Sequence, residues 1–168
     1  MMLLAIATGL SAAGCAAGSG TVAGPQGTDR FAVIDDLRSD LRSWNRESAV
    51  IVGAYLDDGV GADEFVAEAK PVLESLEDVL RRMRQRDLSD LPPDASVIVR
   101  DVLSAYDDKL SALNQMTTSI AIGDSSGEQS GAEKLQQANS EANSAACDLI
   151  SVLDDAGAAD SAGAEFGC

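Results

Sequence analysis

Four stretches of the chain place apolar residues three and four positions apart, the spacing that puts them on one face of an α-helix. The first spans about 28–58, with Ile34, Leu37, Leu41, Trp44, Ser48, Ile51 and Tyr55 on its seam and Gly59 and Gly61 beyond it. The second spans about 62–88 through Phe65, Ala69, Val72, Leu76, Val79 and Met83. Pro71 falls inside it, and because proline lacks the amide hydrogen of a helical bond, the pattern predicts a kink or a break there. Residues 87–93 form a turn, with Pro92 and Pro93 suited to opening the third helix. That helix carries Val99, Leu103, Tyr106, Leu110, Leu113, Thr117 and Ile120, and Gly123 stops it. A Ser/Gly run at 124–131 precedes the fourth, whose seam is Leu135, Ala138, Ala142, Ala145, Leu149 and Val152. Alternation of period two is absent, so no strand is expected. Long amphipathic helices on short connections predict an all-α, up-down-up-down four-helix bundle over 28–168, ending in a Gly/Ala-rich tail.

The fourth helix differs from the others. Between Leu135 and Leu149 its seam is alanine alone, and alanine buries little area at about 25 cal/mol per Å². Small residues allow two helices to approach closely. Alternatively, Ala138, Ala142 and Ala145 line a groove for a partner or a small ligand. Close packing is the stronger expectation, since protein interiors leave few large voids.

Ahead of the bundle the pattern changes. Residues 1–14 carry no charge and begin with an almost wholly apolar run, too short to cross a hydrocarbon core that needs about 20 such residues. The run ends in Leu10-Ser11-Ala12-Ala13-Gly14-Cys15. This resembles the lipobox of bacterial lipoproteins, and the Ala/Gly-rich acidic helical domain behind it resembles small uncharacterised actinobacterial lipoproteins. The resemblance implies a signal peptide over 1–14, lipid attached to Cys15, and a protein held to the cell membrane on its extracytoplasmic side. Residues 16–27 are mostly Gly, Ala and Ser without apolar periodicity, a flexible tether of about 20 Å reach.

Charge and cysteine usage narrow the function. Twelve Lys and Arg against 28 Asp and Glu give a formal charge of −16, which speaks against nucleic acid as a partner. With Cys15 carrying lipid, Cys147 and Cys168 remain as a pair for an oxidising compartment. A disulfide between them would close a loop of about 20 residues, worth roughly 3 kcal/mol in the chain-entropy model, and pin the tail to the fourth helix.

The chain has no histidine, so Ser-His-Asp, Cys-His and Glu-x-x-His arrangements are impossible, and the cysteine spacing matches no zinc site. The acidic doublets Asp35-Asp36, Asp57-Asp58, Asp107-Asp108 and Asp154-Asp155 point about 100° apart on a helix and read as solvated faces. No catalytic residue, metal or cofactor is therefore expected.

The antiparallel order gathers Arg30, Arg81, Arg82, Arg84 and Arg86 at the tethered end of the bundle, where Asp154, Asp155, Asp160 and Glu165 are available to pair with them. A second reading has these arginines meeting anionic headgroups. The opposite end holds Asp57, Asp58, Asp63, Glu64, Asp124 and Glu128. The expected activity is non-catalytic: an envelope binding or scaffold module with a protein partner, or alternatively a sensory or small-ligand domain with its pocket beside the fourth helix.

Overall fold

The computed structural model describes residues 32–155 apart from 58; the signal, the tether with Cys15, Arg30, and the tail 156–168 with Cys168 lie outside them. Four helices make the fold: α1 (Ala32–Leu56), α2 (Ala62–Arg84), α3 (Pro93–Ile122) and α4 (Ser125–Asp155). They form an all-α bundle, and no strand occurs among the described residues.

Cross-helix bonds fix the register. Arg82 and Arg86, near the end of α2, reach Asp40 and Asp36 near the start of α1, while Tyr55 stacks on Phe65 at the other end. The two helices are thus antiparallel, in keeping with the short connection 57–61 between them. On the diagonal, α1 and α3 meet through Asn45 and Tyr106. The predicted seams of α1, α2 and α3 supply the core: Trp44, Phe65, Leu37, Leu76, Val99 and Leu113 are fully buried, with Met116 beside them.

Four sequence expectations need correction, the first of them in part. Of the kink or break expected at Pro71, the break does not occur: α2 continues as one helix through it. The proline and the residue whose carbonyl it frees, Ala67 four positions earlier, are both exposed, so water can satisfy that carbonyl. α2 also ends at Arg84 rather than 88, where the carboxylate of Asp87 accepts the Ser89 amide at 2.9 Å and starts the turn.

The largest correction concerns 124–131, where 125–131 form the first two turns of α4 rather than a run ahead of it. Gly123 takes a left-handed conformation (φ 71°) that closes α3. Asp124 then accepts hydrogen bonds from the amides of Ser126 and Gly127 at 3.2 and 3.1 Å, capping α4 at once. The glycines serve approach rather than flexibility. A Cβ on Gly131 would lie 2.7 Å from the Met116 backbone nitrogen, so the backbones of α3 and α4 touch there. This pair makes the most extensive helix contact of the fold.

The seam of α4 is also rotated from the expected one. Leu135, Ala138, Ala142 and Leu149 are buried, but Ala146 and Leu153 complete the stripe where Ala145 and Val152 were expected; those two are half-buried.

Candidate functional site

Lys109 is the chemically distinctive side chain of the bundle interior. It lies on α3 three positions after Tyr106, so both project in the same direction. Asn45 and Trp44 of α1 meet them. The Lys109 ammonium donates to Asn45 Oδ1 at 2.6 Å and sits 4.4 Å from the Tyr106 ring centroid and 5.1 Å from that of Trp44. The Asn45 amide donates in turn to the Tyr106 hydroxyl at 2.6 Å. Trp44 and Tyr106 meet edge to face at 6.0 Å, and the Trp44 indole N–H donates to the Val72 carbonyl at 2.9 Å. One cluster thereby links α1, α2 and α3.

Lys109 is 4 % exposed, and among the described residues no carboxylate pairs with it. Burial disfavours the ammonium form and brings its pKa down to about 8. Burial likewise pushes the Tyr106 hydroxyl up, against a smaller opposing effect of the Asn45 bond. Two aromatic faces and one amide oxygen partly replace the water that the ammonium has lost. Geometrically the cluster is a pin that sets α1 against α3, because Asn45 bonds both Tyr106 and Lys109 only at this register. Sequence reasoning missed it. The available signal was that Lys109 falls between Tyr106 and Leu113 in the apolar stripe of α3.

The alanine seam lies close by. Gly131 packs on Met116 and Gly127 on Ser119, so the antiparallel register brings Ala138 level with Lys109 and Ala142 level with Ala105. Ala138 and Ala142 are 3 % and 2 % exposed and pack toward α3; Ala145 is half-buried. A shallow hollow of about 370 Å³ touches Ala138 from outside, between Lys134, Glu141 and Asp108.

At the end of the bundle where α1 begins, the arginines of α2 are engaged by carboxylates of neighbouring helices. Arg82 bonds Asp40 at 2.7 Å, Arg86 bonds Asp36 at 3.0 Å, and Arg84 pairs with Asp107. These carboxylates belong to α1 and α3. The side chains of Asp154 and Asp155, and all of Asp160 and Glu165, lie outside the description. The ion pairs cross between helices because arginines in the last turn of α2 stand beside the first turns of α1 and the middle of α3.

Of the cysteines, Cys147 lies half-buried on α4, while Cys15 and Cys168 fall outside the described residues. Among the described residues no group of three or more Cys, Asp and Glu side chains is placed to hold a metal ion. No described helix is long and apolar enough to cross a membrane. Compared with protein-family models, curated proteins and solved structures, the chain matches none of them.

Proposed function

We propose that this protein is a lipid-anchored module of the cell envelope, held on the extracytoplasmic face of the membrane, which binds or scaffolds an envelope protein without catalysis. The observation that carries this reading is Leu10-Ser11-Ala12-Ala13-Gly14-Cys15 followed directly by a Gly/Ala/Ser tether. A lipidated cysteine needs such a spacer to hold a folded domain clear of headgroups, and the helical bundle starts just after it. The lack of histidine, the commonest general base, supports binding over catalysis.

Metabolic labelling with a palmitate analogue tests the anchor. The wild type takes up label and sediments with membranes; Cys15→Ser loses both properties. Equal labelling of the two forms would remove the basis of the reading. The same compartment favours a Cys147–Cys168 disulfide, which ties the tail to α4. Peptide mapping without reductant is expected to recover that cross-linked pair, and two alkylatable thiols at these positions would refute it.

A further inference from the structure

The turn joining α2 to α3 encloses a groove of about 660 Å³. Its floor is apolar, built from Met83, Leu91 and Leu103, with three arginines on its rim: Arg84, Arg86 and Arg100. Asp87 is the sole acidic residue of the lining, and its carboxylate is turned onto the backbone amide of Ser89. Arg86 is held by Asp36 and Arg84 by Asp107, each through one terminal nitrogen of a fork that carries five donors. Arg100 makes no ion pair among the described residues. With Asp36 and Asp107 counted beside Asp87, the three arginines meet three carboxylates, and Arg100 together with the unused donors of Arg84 and Arg86 is what remains for an anionic ligand.

The groove also has a defined position. The Arg86–Asp36 pair places it at the end where α1 begins, and only residues 16–31 separate Cys15 from Ala32. The Gly/Ala/Ser tether expected at 16–27 has a reach of about 20 Å, enough to lay this end of the bundle against headgroups.

We propose that the groove takes the headgroup of an anionic phospholipid from the leaflet carrying the Cys15 anchor. The phosphate meets the arginines, and the glycerol–acyl junction lies on Met83, Leu91 and Leu103. The source of the ligand rests on the lipid-anchor reading; the chemistry of the groove does not.

The acidity of the far end does not oppose this. α2 is about 35 Å long, so carboxylates at its far end stand several Debye lengths of about 8 Å from the surface. Asp90 and Asp94 flank the turn outside the lining, so plain adsorption is disfavoured and the head must enter the groove.

The test uses the full chain with Cys15→Ser, which cannot be lipidated, and dihexanoyl phosphatidylglycerol below its micelle-forming concentration. Arginine side-chain N–H signals report where it binds. Saturable shifts at Arg84, Arg86 and Arg100 are expected, with dihexanoyl phosphatidylcholine and inorganic phosphate both clearly weaker. Arg100→Gln should weaken binding about fivefold, the loss of one headgroup contact. Arg81→Gln, which removes an arginine paired with Asp78 outside the groove, should leave binding unchanged. Equal binding of the two phospholipids, phosphate binding as tightly as phosphatidylglycerol, or an unaffected Arg100→Gln variant would each overturn the proposal. Failure of Cys15 labelling is read separately in cells and tells against the anchor, not against the groove.

Discussion

A lysine enclosed by Trp44, Tyr106 and a single amide oxygen destabilises the fold whenever it is charged. Lys109 loses its proton at about 8 in the folded protein and near 10.5 in the open chain. Between those values the unfolded state binds more protons, so stability rises with pH. The rise stops near pH 10, because the open chain then ionises its tyrosines while burial keeps Tyr106 protonated in the fold. Urea unfolding should therefore show stability increasing by about 2 kcal/mol from about pH 7 to about pH 10. In Lys109→Met this increase should be absent, whatever the variant's stability at neutral pH, where Asn45 Oδ1 loses its donor. A wild-type profile that is flat or falling across this range would show that the ammonium is adequately solvated. The sequence allowed no such conclusion. A lysine at the margin of an apolar stripe usually extends its stem along the surface and leaves its head in water, and only the approach of α1 decides otherwise.

At the scale of single helices, the long apolar stripes were legible and the small-residue contact was not. Leu37, Trp44, Leu76 and Leu113 recur at helical spacing and are buried as that spacing requires. The 124–131 run misled because Ser and Gly favour loops when nothing packs against them. Here Asp124 caps the helix, and Gly127 and Gly131 let α4 lie on Ser119 and Met116. Contact with a neighbouring backbone outweighs the intrinsic penalty of glycine in a helix, about 0.5–1 kcal/mol relative to alanine. Gly131→Ala is accordingly expected to destabilise by roughly 1–3 kcal/mol, since the new Cβ meets backbone atoms that cannot swing aside. Gly53, inside α1, has no atom within 4 Å of its would-be Cβ, and Gly53→Ala should stabilise by about 0.5–1 kcal/mol. Thermal melts of the two variants should move in opposite directions; a shared direction would remove close approach as the reason for Gly131. Ala142, at 2 % exposure, belongs to the same contact, and Ala142→Leu should cost a similar 1–3 kcal/mol.

For the molecule as a whole, the antiparallel order followed from turn placement, and the order sorted the charges. No Lys or Arg occurs at 47–69 or 110–133, so the far half of the bundle carries carboxylates with nothing to neutralise them. The near half holds Arg82–Asp40, Arg86–Asp36 and Arg84–Asp107, all substantially exposed to solvent. Exposed pairs of this kind are worth about 0.2–1 kcal/mol each, so the three together supply a few kcal/mol at most. Against them stands the self-repulsion of a chain with charge −16, which acts over longer distances and is therefore screened more effectively by salt. Raising ionic strength from about 0.01 M to about 0.15 M shortens the Debye length from about 30 Å to about 8 Å. Pairs in contact keep most of their attraction at that length, while repulsion between carboxylates on neighbouring helices is much reduced. The melting temperature should therefore rise over this interval, and Arg82→Gln, which removes one pair and deepens the negative charge, should show a steeper rise from a lower start. A melting temperature that falls with added salt would mean that the cross-helix ion pairs, rather than the unneutralised far half, dominate the electrostatics of the bundle.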